Sequence, residues 1–233
     1  MPTPLTVAAA QPTCRPGDVA ANVHAHADLV RRAAARVVVF PELSLTGYVL
    51  DSEDVEPNSP VVAPLAAACR ETGTVALVGA PVVESGRRYI AVLAVDGDAV
   101  TVAYRKTWLG GDEADHFDRG DGPTVRVVDG RRLGLAICKD TGSFQHTAGT
   151  AALGIDVYVA GVVHRPDELA EQEARATVIA RACAAHVVLA GAAGNVGPAY
   201  PVTAGTSAVW APSGAVVVRA GPEPDAIALA TLA

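Results

Sequence analysis

The feature that most confines this chain is alternation: short apolar, β-branched runs take turns with alanine-rich stretches along its whole length. Residues 5–10 read as a buried strand. Residues 19–35 read as a helix, with Arg31 and Arg32 near its C-terminal end, where the dipole favours cations. Residues 36–40 form a second strand stopped by Pro41. Residues 60–72 are helical and closed by Gly73, and 74–79 return to strand. Two runs, 89–95 and 99–104, flank Asp96-Gly97, a dipeptide suited to a hairpin. Strands follow at 133–138 and 156–163 with a helix at 145–153 between them. Pro166, Asp167, Glu168 and Glu171 open a long helix reaching about residue 185. Strands at 186–192, 206–210, 215–219 and 226–232 complete the pattern. Helices between strands demand a layered α/β fold, and the hairpins require mixed sheets instead of one doubly wound parallel sheet.

Composition narrows the function classes. Half of the 233 residues are hydrophobic and only 18% are charged, which excludes a disordered chain. A net charge of −7 offers no basic footprint for nucleic acid or an anionic membrane. No apolar run reaches the roughly 18 residues of a membrane helix, and residues 1–10 lack the basic start of a secretory signal, so a cytoplasmic protein is expected. Cys14, Cys69, Cys138 and Cys183 are scattered with no CxxC pair, which indicates neither a disulfide framework nor a zinc site. No linker or repeat divides the chain, and residues 1–233 are expected to form a single domain.

Unusual residues concentrate in three places. Eighteen basic residues include only two lysines, Lys106 and Lys139, the residue type that supplies a compact, titratable point charge. Six of the ten aromatic residues (Phe40, Tyr48, Tyr104, Trp108, Phe117 and Phe144) fall within segments 38–50, 104–120 and 134–146. Each segment follows a strand and carries one reactive group: Glu42, Lys106 or Cys138. Groups at strand ends in α/β folds converge on one crevice. A carboxylate, an ammonium and a thiol there would form a nucleophilic constellation. No GxGxxG, P-loop, GxSxG or HExxH run is present, and no cofactor or metal is implied.

The runs FPELSLTGY at 40–48, YRKTWL at 104–109 and GLAICKD at 134–140 resemble, in content and order, the three signatures of the nitrilase superfamily of carbon–nitrogen hydrolases. Gln11, Asn195, Gly197 and the runs at 154–156, 205–207 and 212–214 extend the resemblance over nearly the whole chain. It implies a four-layer α-β-β-α sandwich that commonly pairs into homodimers or larger homo-oligomers. It implies a cysteine-dependent amidohydrolase acting on a small-molecule amide or N-carbamoyl compound through a thioester. In that resemblance Glu42 is the general base, Lys106 the oxyanion stabiliser, Cys138 the nucleophile and Glu113 a second glutamate orienting the lysine. The backbone N–H of Lys139 completes the oxyanion site, and Tyr48 and Phe144 contact substrate. Cys138 is expected to have a depressed pKa from its ammonium neighbours.

Two positions depart from the family pattern: Lys139 follows the cysteine, and Phe144-Gln145-His146 stands where relatives read Phe-Pro-Glu. Cys-x-Asp at 138–140 resembles the amidase and carbamoylase branches more than the nitrilases. The Lys139 side chain either lowers the thiol pKa or reaches a substrate carboxylate, or turns to solvent with only its N–H in use. Rival readings are a Cys138–His146 dyad, a nitrilase or acyltransferase with the same triad, and a catalytically silent scaffold. Selectivity is expected in loops 43–54, 110–122 and 194–206.

Overall fold

The computed structural model describes residues 4–97 and 99–233. Residues 1–3, part of the stretch read for a signal, and Asp98 lie outside them. The first half runs β1 (Leu5–Ala10), α1 (Val19–Ala33), β2 (Val37–Val39), α2 (Ala63–Thr72), β3 (Val75–Glu84), β4 (Arg87–Asp96) and β5 (Ala99–Arg105). The second runs β6 (Thr124–Val128), β7 (Arg131–Ile137), α3 (Phe144–Ala152), β8 (Val157–Val162), α4 (Leu169–Cys183) and β9 (His186–Gly191). The short β10 (Ala193–Gly194) and β11 (Thr203–Ala204) pair with each other, and β12 (Ala208–Trp210), β13 (Val216–Arg219) and β14 (Ile227–Leu232) follow.

Two six-stranded mixed sheets result, ordered β14-β1-β2-β3-β4-β5 and β13-β12-β9-β8-β7-β6. Within each, three strands are parallel (β1-β2-β3 and β7-β8-β9) because helices cross between them. Strand alternation sorts the side chains into layers. Val7, Ala9, Val37 and Val39 face inward and meet Leu133, Leu135, Ile137, Val157 and Val159 of the other sheet. Ala8, Ala10 and Val38 face outward against Val23, Ala27 and Val30 of α1 and Leu65 and Ala68 of α2. On the far side, Ala136, Tyr158, Ala160 and Leu189 pack on Ala176, Ile179 and Ala180 of α4. The layers are therefore α-β-β-α, as the resemblance implied. Strands buried on both faces explain why the sequence shows continuous apolar runs instead of alternation.

Several boundaries differ from the sequence reading. α1 and α4 stop at Ala33 and Cys183 because Ala34 and Ala184 adopt left-handed conformations (φ 45° and 49°), caps usually held by glycine. β3 continues past Gly79 to Glu84 and turns through Ser85-Gly86, both at positive φ, into β4. β4 and β5 pair antiparallel, as the hairpin reading expected. β6 is an additional edge strand along β7. No helix among the described residues is long and apolar enough to cross a membrane.

Candidate active site

Glu42 lies in the turn after β2, wedged between the two sheets. The wedge depends on two glycines. A Cβ on Gly79 of β3 would lie 2.4 Å from both Leu43 N and Pro41 O, and one on Gly161 of β8 would lie 2.5 Å from Phe40 O. With no side chain at either point the Glu42 backbone passes between the strands. Leu43, at φ 49°, then directs the chain back so that Leu45 N–H bonds Gly79 O at 3.0 Å.

Lys106 follows β5 directly and is 1% exposed. Its Nζ donates to Glu42 Oε1 at 2.6 Å and to both Glu113 oxygens at 2.7 Å. Glu113 sits in a 3₁₀ turn, Gly111–Asp115, and accepts further from Gly110 N–H (2.7 Å) and Tyr48 O–H (2.6 Å). Tyr48 therefore serves here to fix Glu113, and it also lines the cavity. Cys138 follows β7 directly at φ 38°, a left-handed conformation disfavoured for a residue with a side chain. Its thiol donates to Val163 O at 3.3 Å.

Electrostatics follow from this packing. Burial raises the Glu42 carboxyl to about 7; Lys106 pulls it down, Glu113 pushes it up, and the neighbouring Cys138 thiol also holds it down. The Oε2 of Glu42 is buried with no hydrogen-bond partner, an acceptor left open beside a thiol. Burial alone would lower Lys106, but Glu42, Cys138 and Glu113 raise it above its ordinary value. The Cys138 thiol is pushed up, first by burial and then by Glu42, with Lys106 opposing. This corrects the expectation of a depressed thiol: burial and the Glu42 charge outweigh the attraction of Lys106, so the resting sulfur carries its proton.

A second buried network braces the turn that carries the sulfur. Asp140 Oδ1 accepts from Trp108 N–H (2.8 Å); Oδ2 accepts from Ile137 N–H (2.9 Å) and Tyr104 O–H (2.8 Å). One carboxylate thus ties the segment after Lys106 to the residue before Cys138. Tyr104, having donated to Asp140, must accept from His146 Nε2–H (3.0 Å). Thr150 gives its hydrogen to His146 O, so His146 Nδ1 accepts from Tyr158 O–H at 3.1 Å. Every donor is satisfied only by neutral, Nε2-protonated His146, and burial lowers its pKa accordingly. His146 is thereby committed to this network, against the Cys138–His146 dyad.

Cys138, Lys106 and Glu113 line a cavity of about 460 Å³, within the range of small-molecule sites. Tyr48, Leu50, Gly110, Ala199 and Tyr200 bring all three expected loops to its wall. Lys139 lines it too. Phe144 does not: it opens α3 with 81% of its surface exposed and is outside the lining, so the substrate-contact expectation is corrected. The sequence reading missed the opposite wall, His164, Arg165, Glu168, Glu171, Gln172 and Arg175, which comes from the end of β8 and the start of α4. Only the acidic opening of that helix hinted at it, and that reads equally as dipole complementation.

The model of the carbon-nitrogen hydrolase family matches residues 6–233. Over 165 residues the chain is 29% identical to an (R)-stereoselective amidase of Pseudomonas sp, a match covering 65% of this chain and 60% of that protein, so under two thirds of the relative's length is spanned. In structure it is similar to a mutant of the Nesterenkonia AN1 amidase from the nitrilase superfamily (TM-score 0.88, 25% identity, 98% of this chain and 90% of that one). It is also similar to a mutant of the Nesterenkonia amidase showing covalent addition of the acetamide moiety of fluoroacetamide at the active-site cysteine (TM-score 0.87, 24% identity, 98% and 90% covered).

Proposed function

Because this chain belongs to the carbon–nitrogen hydrolase family, we propose that it is a cysteine-dependent amidohydrolase of small amides, with Glu42, Lys106, Cys138 and Glu113 as its catalytic residues. The observation that carries this reading is the buried Lys106 ammonium held by two carboxylates at 2.6–2.7 Å in the wall of the cavity that Cys138 also lines. Burying three ionisable groups is costly to folding, and such clusters gather at sites of chemistry. The likeness to a Nesterenkonia amidase carrying an acetamide moiety on its active-site cysteine supports the assignment of the sulfur.

In this mechanism the thiol proton passes to the open Oε2 of Glu42 as sulfur attacks the amide carbonyl, so a free thiolate need not accumulate. The tetrahedral oxyanion is held by Lys106 and by the backbone N–H of Lys139; one such donor lowers the barrier by about 3 kcal/mol. All three Lys106 N–H groups are already engaged, and the oxyanion takes over one of the two directed at Glu113, since the other preserves the ion pair. Glu42 then protonates the departing nitrogen. A water deprotonated by Glu42 cleaves the thioester, releases the acid and returns the proton to sulfur.

The test is ammonia release from a panel of small amides, N-carbamoyl compounds and nitriles, with Cys138→Ala alongside. Turnover that vanishes in the variant supports the reading. Turnover that survives there overturns the site, and none from any compound favours the scaffold.

A further inference from the structure

We propose that His26, on α1, is a positioning residue for the general base: through Ser44 it holds the turn that aims Glu42 at the sulfur. This rests on the amidohydrolase reading and adds to it a residue outside the cavity.

Glu42 cannot be aimed by bonds to its own carboxylate. Oε1 accepts from Lys106 at 2.6 Å, and Oε2 has to stay open to take the thiol proton. Its direction therefore comes from the backbone on either side. That backbone is strained, because Leu43, the next residue, has φ 49°. A left-handed residue with a side chain persists only where its surroundings hold it. The strands that carry Gly79 and Gly161 supply part of that hold.

α1 supplies the rest. Asn22 Nδ2 donates to Leu45 O at 3.0 Å. One helical turn on, the His26 and Phe40 rings lie 4.3 Å apart between centroids, and His26 Nε2 is 2.8 Å from Ser44 Oγ. The other ring nitrogen decides the tautomer. Nδ1 is 2.6 Å from Asn22 O, which only accepts, so Nδ1 carries the hydrogen and the bare Nε2 accepts from Ser44 O–H. Contacts at 40, 44 and 45 thus bracket Glu42 and Leu43. His26 is fully buried, and neither it nor Ser44 lines the substrate cavity. Burial lowers its pKa to about 4, so the imidazole is neutral where Glu42 titrates. An apolar side chain would pack α1 on Phe40 equally well; what the imidazole adds is the directed bond to Ser44. Without that bond Leu43 is free to relax, and Glu42 swings with it, loosening from Lys106 and leaving the sulfur.

The test compares Ser44→Ala, which removes only the hydroxyl, with His26→Asn and His26→Gln, on whichever amide of the panel the native enzyme turns over fastest. Glutamine places its amide oxygen near the position of Nε2 and still accepts from Ser44; asparagine is one carbon shorter and does not reach. Ser44→Ala and His26→Asn are expected to lower kcat by at least about tenfold with KM changed by less than about threefold, since a misplacement near 1 Å costs about 10²-fold in rate and substrate touches neither residue. The acid limb of their kcat/KM profiles is expected to move above about 7, because a loosened Lys106 no longer pulls the Glu42 carboxyl down. His26→Gln is expected to recover part of the lost kcat and to return the limb towards its native position. Native kcat with an unshifted limb in Ser44→Ala overturns the positioning role and leaves the amidohydrolase reading standing. An equal loss in His26→Gln and His26→Asn with an unshifted limb does the same, since that is the signature of a purely structural residue. If the His26 variants do not fold, Ser44→Ala decides by its limb and its kcat. No turnover of any amide by the native protein overturns the amidohydrolase reading and the positioning role with it.

Discussion

Replacing Asp140 with asparagine preserves shape and isolates what the carboxylate does. Three buried donors, Trp108 N–H, Ile137 N–H and Tyr104 O–H, converge on its two oxygens at 2.8–2.9 Å. Asparagine has one carbonyl oxygen, so whichever way it flips at least one donor faces an NH₂ group. The cheaper flip keeps oxygen at the position serving Ile137 and Tyr104 and strands Trp108 N–H. An unsatisfied buried donor costs about 1–3 kcal/mol, and the two surviving bonds lose their charge assistance. Part is returned, because burial already raises the Asp140 carboxyl against its hydrogen bonds and the neutral amide is easier to bury. The net expectation is a loss of about 2–4 kcal/mol in urea unfolding at unchanged m value.

Catalysis is expected to suffer more than stability. Ile137 precedes the nucleophile, and Trp108 lies two residues from Lys106. Releasing either lets sulfur and ammonium drift apart, and a misplacement near 1 Å costs about 10²-fold in rate. The assay is kcat for a small amide beside the iodoacetamide rate of Cys138, both well below the unfolding midpoint. Tyr104→Phe supplies the second edge of a double-mutant cycle with coupling expected, since both act on Oδ2. Native kcat and stability in Asp140→Asn would refute the bracing argument.

Glu42 acts as a base only when ionised, so kcat/KM is expected to rise with pH through about 7 instead of through the ordinary carboxylate range. Glu113→Gln removes a repelling charge and leaves Lys106 to Glu42, so the acid limb in its pH–rate profile should move to lower pH even as kcat falls. The same raised pKa makes Glu42 a stability term present below about 4.5 and lost as pH rises through about 7, worth about 3 kcal/mol by linkage. Urea titrations of Glu42→Gln against native protein should show that slope flattened. Gly79→Ala drives a Cβ to 2.4 Å from the backbone around Glu42, so thermal unfolding should show a loss of at least about 2 kcal/mol. Phe144→Ser, by contrast, should change stability by less than about 0.5 kcal/mol and leave kcat/KM within twofold.

What was legible in the sequence was what depends on local pattern and strand ends. The strand at 133–138 put Cys138 at its tip and Val37–Val39 delivered Glu42, and the two strands, one in each sheet, bring their ends together across the sandwich. β6 escaped because it is an edge strand whose mixed exposure leaves no continuous apolar run. The Ala34 and Ala184 helix ends escaped because alanine carries no cap signal. The bracing network escaped for another reason. Tyr104, Asp140, His146 and Tyr158 are spread over 54 positions, and nothing in the spacing says that one carboxylate will accept from three of the chain's donors. Phe144 misled because aromatic clustering in sequence is not clustering in space. A residue opening a helix beside the site can point away from it.

The thiol was misjudged because proximity to an ammonium was counted without weighing the burial of the sulfur and the carboxylate beside it. Glu113 takes two of Lys106's three N–H groups, and burial of Glu42 and of the sulfur outweighs the attraction that the lysine offers either. Glu42 therefore rises towards neutrality, and the sulfur stays protonated. A low-pKa carboxylate held tightly by a dedicated lysine would be a poor base for a thiol raised by burial, because the proton would have to climb the whole gap. Burial and the Glu113 charge narrow that gap from the base side. It also keeps a cation in place that can turn towards an oxyanion as soon as one forms. On this argument the second glutamate sets the balance between base strength and oxyanion stabilisation, and the buried cluster functions as one titrating unit whose proton moves with the substrate.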